Sequence, residues 1–376
     1  MRKLLLAGLM IAVAQQAVAQ VDIERRRTLL AQVGVSATGG DEMPFPAAYF
    51  WFNENNFPCT NTALRFIFGG VFANAELSWF PGNQTNTAIG VGFTGGLFVD
   101  SVVPYRAGAR LSDQQFYGDI VSGSVFINQT IPNPPPLPIN VRATYSATGS
   151  FYREADDTQN FTLPADTLTQ TISAELRLGG IVPGLTAKRG AELYVAADVS
   201  YRSGFEQFGP VGSPFPAHNK YERVFGSLAG KIPVGETIIS ARVCGGLGEH
   251  LDELTAWKLG GNLLGADSYS LPLHGYYTRE IFADDFGLAN LAVTIPVNED
   301  WRLAGHLYGD YAAAKTLNVA TGLADGWHHF VGVGAGVSFR ALWNINGLLS
   351  YGYGVNAIRE GRHGGHEVAL ALEKQF

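Results

Sequence analysis

The chain is 376 residues long, 46% hydrophobic and only 16% charged, with a formal net charge of −7. Soluble domains carry ~25% charged residues and nucleic-acid binders carry a basic face. The composition fits neither class, so no nucleic-acid partner is expected. Forty-six glycines, 23 Phe, 15 Tyr and 6 Trp suit a β-protein whose outer face is apolar.

Met1-Arg2-Lys3, an apolar run from Leu4 to Ala14 and the triplet Ala17-Val18-Ala19 form the three parts of a secretory signal peptide. Residues 1–19 are assigned to it and 20–376 to one β-barrel domain. The apolar run is too short for a membrane-spanning helix, and no later stretch reaches the ~18 apolar residues such a helix needs. Export would permit a disulfide, but the positions of Cys59 and Cys244 leave their pairing open.

The next signal is a period of two. In 140–152, Val141, Ala143, Tyr145, Ala147, Gly149 and Phe151 share one face, while Asn140, Arg142, Thr144, Ser146, Thr148 and Ser150 share the other. Residues 167–178 set Leu168, Ile172, Ala174, Leu176 and Leu178 against Thr171, Ser173, Glu175 and Arg177. Residues 190–202 set Val195, Ala197, Val199 and Tyr201 against Asp198, Ser200 and Arg202. Alternation of this kind marks strands with two unlike faces. Soluble strands run ~5–6 residues, whereas a tilted bilayer crossing needs ~9–11. These segments have the longer length, and they carry ionic residues at mid-strand, as a wet lumen does. Arg142, Glu175, Arg177, Asp198, Arg202 and Arg242 are therefore predicted to line the lumen.

Fourteen such segments follow one another: 28–38, 61–80, 85–100, 115–131, 139–152, 167–181, 190–202, 219–233, 236–249, 285–297, 300–313, 329–341, 344–355 and 366–376. The apolar phase flips across Gly69-Gly70, as a hairpin would require. A hairpin there and a short strand in 47–53 raise the count to sixteen; one strand in 47–80 leaves fourteen. The fold class expected is all-β, a transmembrane antiparallel β-barrel. Short links at 132–138, 234–235, 298–299 and 342–343 alternate with long ones at 153–166, 203–218, 250–284 and 314–328, the pattern of periplasmic turns and outer loops. Trp79, Tyr201, Trp301 and Trp343 sit near strand ends, where an aromatic girdle lies.

The chain ends in VALALEKQF, with Val368, Leu370, Leu372 and Phe376 on one face. This terminus resembles the C-terminal signal of bacterial outer-membrane barrels, although Lys374 stands where an apolar residue is more usual.

The long loop 250–284 contains Gly260-Gly261 and then Leu273-His274-Gly275-Tyr276, and five strands follow it. This order resembles the barrel of the BamA/TamA-like outer-membrane assembly family, also called the bacterial surface antigen family. That family has Gly-Gly early in a long loop, a V-R-G-F/Y motif, and five strands after it. The resemblance implies that the loop folds into the lumen. It also implies that His274, at the place of the motif arginine, meets an inward acid on the second following strand. Leu307-Tyr308-Gly309-Asp310 puts Asp310 at that place, with Arg302 and His306 on the same inward face. Histidine in place of arginine gives up the always-charged bidentate pair for a contact whose charge varies with pH. Gly275 allows a tight turn, and Tyr276 is expected on the glycine-rich face of Phe330–Gly336. The resemblance further implies outer-membrane lipid as surroundings and unfolded barrel proteins or lipids as clients. The family's periplasmic POTRA modules are lacking, so a separate periplasmic partner is expected.

Trp327-His328-His329 and His363-Gly364-Gly365-His366 read as solvated outer-loop residues, not metal ligands, and no cofactor motif is present. Ser350 and His306 are the serine and histidine a hydrolase would need, but no motif joins them. The chain is read as a non-enzyme of the bacterial outer membrane. Aid to insertion or passage of protein or lipid, a passive or gated small-solute pore, and a surface structural or interaction protein are the competing functions.

Overall fold

The computed structural model describes residues 25–36, 45–83, 86–131, 138–180, 185, 190–262, 271–298, 302–318, 321–359 and 361–376. Residues 1–19, read as a signal peptide, and Trp301 lie outside the described residues. Sixteen strands form one barrel: β1 (Arg25–Ser36), β2 (Phe45–Asn55), β3 (Thr62–Phe68), β4 (Phe72–Trp79), β5 (Thr87–Gly96), β6 (Phe116–Ile131), β7 (Ile139–Glu154), β8 (Thr167–Gly180), β9 (Gly190–Ser203), β10 (Lys220–Val234), β11 (Thr237–Glu249), β12 (Ile281–Pro296), β13 (Leu303–Leu317), β14 (Ala324–Arg340), β15 (Ile345–Arg359) and β16 (Arg362–Gln375). Each pairs antiparallel with the next. The sheet closes through β1 and β16, in register from Thr28↔Gln375 to Ser36↔Glu367. One further rung, Phe376 N–H to the Arg27 carbonyl at 2.9 Å, ends the seam.

The stretch 61–80 is two strands, so the count is sixteen and not fourteen. Gly70 takes φ +75° between them, and Gly69 N–H donates to the Phe72 carbonyl at 2.6 Å. The phase flip marks this turn because reversing the chain in so few residues shifts the parity of the outward side chains.

Outside and inside sort by parity. Val141, Tyr145, Phe151, Leu168, Ile172, Val199 and Tyr201 are exposed on the outer face, Ile172 at 66%. Their neighbours Arg142, Glu175 and Asp198 turn inward. In water such an exposed apolar belt would be costly; in hydrocarbon it is the favourable face, and the closed ladder leaves no backbone group unpaired there.

Strand ends differ from the sequence-based boundaries. β12 starts at Ile281, so the long loop is 250–280. β14 starts at Ala324, which reduces the link 314–328 to 318–323. Trp327, His328, His329, His363 and His366 therefore sit on strands, not in loops. They extend ladders already begun by neighbours, Ala313↔His329 and Tyr353↔His366. His329 Nδ1 lies 2.8 Å from Tyr311 Oη on the outer face. Among the described residues no three His, Cys, Asp or Glu side chains gather as a metal set. Cys59 and Cys244 are both free. Arg302 lies exposed in the turn before β13, where its carbonyl accepts from Arg340 N–H at 2.8 Å.

The long links gather over one mouth of the barrel. Phe116, Phe161, Phe205, Phe208, Phe215, Ala256, Phe282 and Leu317 form a dry aromatic cluster there. Phe208 packs edge-to-face on Phe215 at 5.3 Å. Links too polar to enter lipid thus make their own small core outside it.

Ile172→Arg is expected to lower barrel stability by ~2–4 kcal/mol, the cost of a cation at the lipid face. Ser173→Arg, one residue on and inward beside Asp198, should change it little. Urea titration of the protein folded into phosphatidylcholine vesicles measures both.

Candidate functional site

The site is the loop 250–280, which enters the barrel and docks on its inner wall. Its entry is tied by Asp252. Oδ1 of Asp252 accepts from the backbone N–H of Leu254 at 3.1 Å and of Thr255 at 3.2 Å, fixing a turn. Oδ2 accepts from Arg202 Nη2 at 2.6 Å, with both side chains 3% exposed. The guanidinium of Arg202 lies 3.6 Å from the centroid of the Phe205 ring. Trp257–Leu259 then adds a short strand against Ile281–Ala283.

From there the loop builds an apolar core inside the lumen. Leu259, Leu271 and Leu273 pack with Phe225, Leu288, Ala312 and Ala314 of the wall. The lumen is thus apolar along β9–β13, which a wholly polar lining does not anticipate. The loop has one amphipathic surface and a watery channel would leave it exposed; burial at ~25 cal/mol per Å² drives it onto the wall.

The tip is made by glycines. Gly260 and Gly261 take φ +125° and +84°. Gly261 N–H donates to the Tyr276 carbonyl at 3.0 Å, and Leu273 N–H to the Gly261 carbonyl at 2.8 Å. The structure brings His274 against Asp310 of β13. His274 Nδ1 and its backbone nitrogen lie 2.6 and 2.8 Å from Asp310 Oδ2. Asn290 of β12 donates to Asp310 Oδ1 at 2.8 Å and to the Pro272 carbonyl at 3.0 Å. The His274 ring stacks on Tyr308 at 4.5 Å. Tyr276 meets Phe330 edge-on at 5.8 Å, and its Oη donates to the Val331 carbonyl at 3.4 Å.

Gly275, at φ +82°, lies directly on β15, where an added Cβ would collide with the Gly354 backbone nitrogen. The groove is two strands wide. A Cβ on Gly332 of β14 would sit 2.6 Å from the His274 carbonyl oxygen, and one on Gly352 of β15 2.6 Å from Gly275 N. Gly352 and Gly354 alternate in SYGYGVN as Gly332, Gly334 and Gly336 do in GVGAG. The same period-two signal could have found them.

Several of the predicted lumen charges pair across strands. Arg142 donates to both oxygens of Glu76, at 3.2 and 2.7 Å, and lies 3.9 Å from the Phe126 ring centroid. It reaches Glu76 on β4 across Gly92, where a Cβ would crowd Ser124. Asp198 accepts from Arg223 at 2.7 Å, and Arg177 lies 3.8 Å from Glu192. Arg242 donates to Ser227 Oγ at 3.1 Å. Glu175 stands opposite Arg142 in the ladder. Glu76 and Arg223 escaped the sequence reading, because pairing across strands depends on register. His306 sits between Thr294 Oγ1 and Ser338 Oγ at 2.9 and 2.8 Å. Ser350 is instead 3.3 Å from Asn262 Nδ2, so the two candidates for hydrolysis are not together. Val368, Leu370 and Leu372 face outward on β16, and Lys374 beside them covers the Phe376 ring at 4.9 Å.

Glu253 is 1% exposed, and neither of its carboxylate oxygens has a hydrogen-bond partner. Burial pushes its carboxyl up to about 8; Lys258 opposes the rise and Asp252 adds to it. Burial likewise pulls the Lys258 ammonium down to about 8.

No family model matches the chain, and no curated protein matches it in sequence. Solved structures do match. BamA from Haemophilus ducreyi lacking POTRA domains 1–3 superposes with a TM-score of 0.59 at 11% identity, over 94% of this chain and 71% of that one. The chain has the fold of the BamA and CdiB barrels. CdiB from Acinetobacter baumannii gives 0.58 at 10% identity, and CdiB from Escherichia coli 0.58 at 12%. The chain spans 61% and 64% of those two, less than two thirds of each. All three are bacterial barrels of the same architecture.

Asp310→Ala removes the acceptor of three donors, and hydrogen bonds to charged groups are worth ~1.5–3 kcal/mol each. Protease cleavage within 262–276 of the folded barrel should accelerate at least tenfold. Gly275→Ala should do the same by steric expulsion. For Glu253 the sign follows from its raised value: the docked loop holds a proton that the free loop, near 4.5, gives up. Docking is strongest below that pH and weakens by ~1.4 kcal/mol per unit up to about 8. Glu253→Gln should flatten this slope in protease protection measured from pH 5 to 8.

Proposed function

We propose that the chain works in the bacterial outer membrane as an assembly- or translocation-type barrel, easing protein or lipid into or through the membrane at the β1–β16 seam. The carrying observation is that the loop braces one side of that seam only. Its tip rests on β13, β14 and β15 through Asp310, Gly332, Gly352 and Gly354. On the other side β3 and β4 are seven and eight residues long, and what packs inside there is Leu185 of the β8–β9 link, beside Leu30, Trp51 and Ile67, and not the loop 250–280. A stiff plate next to a short-stranded flap is an arrangement suited to opening along the line between them.

The membrane-facing surface supports the same reading. Among the described residues, outward apolar residues on β1 run from Leu29 to Val35, and on β16 from Val368 to Leu372, where Lys374 interrupts them before Phe376. At the strand rise and the 35–45° tilt usual for such barrels, the β1 band is about 16 Å high and the uninterrupted part of the β16 band about 10 Å. On β7 the band runs from Val141 to Phe151, about 26 Å on the same basis. A short band favours a thinned bilayer beside the seam, which lowers the barrier to entry there. The likeness of the loop to that of the assembly family agrees with this.

The test is a crosslink. Gln32 and Ala371 are seam partners, and cysteines there can be oxidised to close it. Oxidised protein in vesicles should lose its acceleration of a second barrel's folding, and reduction should restore it. Undiminished acceleration when crosslinked overturns the proposal. Ion conductance that survives the crosslink at full size would instead favour a pore, and sensitivity to loop truncation with neither effect would favour a surface role.

A further inference from the structure

The far end of the loop carries a third ionic contact, of opposite polarity to the one at the tip. Glu280 closes the loop just before β12, and Arg359 ends β15. Arg359 Nη1 donates to Glu280 Oε1 at 2.7 Å and Nη2 to Oε2 at 2.8 Å, a two-pronged pair. The two side chains are 6% and 9% exposed. The guanidinium lies 3.6 Å from the centroid of the Tyr277 ring. Tyr277 N–H donates to Glu280 Oε2 at 2.8 Å, and Arg359 Nη2 reaches the Gly275 carbonyl at 3.4 Å. The 105–110 ribbon covers the pair: Tyr105 packs on Tyr277 at 5.0 Å, and Gly108 lies so close to the Ile358 carbonyl that a Cβ would collide. β13 and β14 intervene, so the pair joins strands about 14 Å apart along the sheet.

We infer that Arg359–Glu280 is a permanent clasp that holds residues 277–280 on the wall while the tip, 271–276, is released at His274–Asp310. This rests on the reading of the loop as a brace. At the tip the wall supplies the acid and the loop the base; at the clasp the wall supplies the base and the loop the acid. A guanidinium stays charged at every physiological pH and fits a carboxylate with two parallel bonds. An imidazole does neither. A pair this buried is costly to break from one side, because the remaining charge is stranded. The weaker tip contact therefore yields first, and the chain turns at the junction of Tyr276 and Tyr277, where the clasped part begins. Arg359 is a positioning residue: it touches the loop, not a client.

Amide hydrogen exchange on the full chain in lipid nanodiscs, with no client present, tests this. Asp310→Ala should speed exchange at 272–276 at least tenfold and leave 277–281 protected. Arg359→Gln should speed exchange in both segments. Arg359→Glu combined with Glu280→Arg should restore 277–281 to within about threefold of the parent. The inference is overturned if Arg359→Gln leaves 277–281 protected, or if the swapped pair exchanges as fast as the single variants. If Arg359→Gln yields no folded barrel, Glu280→Gln is read in its place, and unchanged protection there overturns the inference equally. A seam that proves irrelevant in the crosslinking assay leaves this result untouched, and loss of the clasp leaves the crosslinking result untouched.

Discussion

Every backbone N–H and C=O that lies in hydrocarbon must find a partner within the protein, and this constraint organises the whole molecule. A sheet edge left open in lipid would expose a row of unpaired groups, so β1 must meet β16. Closure then fixes two solvents for each strand, one on each side, and the period-two alternation follows. The same rule explains why the long links do not enter the membrane. They gather over one mouth, where Phe116, Phe161, Phe208 and Phe215 give them a core of their own.

Closure also creates an interior, and the loop 250–280 divides it. Along β9–β13 the loop meets the wall through leucines and aromatics. Along β4–β9 the interior keeps ionic side chains, several of them matched across strands, as Arg142 is to Glu76. The division depends on glycine. Gly332, Gly352 and Gly354 remove side chains from a patch of wall, and Gly275 removes one from the loop, so two backbones can approach to contact distance. Any methyl group at Gly275 would hold the tip away and separate His274 from Asp310.

The ionic contacts on the loop differ in kind. Asp252–Arg202 and Glu280–Arg359 use guanidinium groups and are deeply buried. His274–Asp310 uses an imidazole at the tip. Two fixed ties at the loop's ends and one adjustable tie between them make a strap that can slacken in the middle without leaving the barrel.

The sequence by itself determined the barrel. Alternation over long segments, the phase flip at Gly69-Gly70 and the link lengths specified an antiparallel barrel of sixteen or fourteen strands, because side-chain parity and the membrane act locally on each strand; the structure decided for sixteen. It also singled out Gly260, Gly261, His274, Gly275, Tyr276 and Asp310, through likeness of a short motif. It did not reveal Glu76, Asn290, Glu280 or Arg359. It set Trp327, His328, His329, His363 and His366 in loops, although the neighbouring ladders carry them as strand. Those facts depend on register, on how far each strand outruns the membrane and on which strands stand opposite across the lumen. Only the tertiary structure decided them, because charges tens of residues apart in the chain are paired by the closure of the sheet and not by any local pattern.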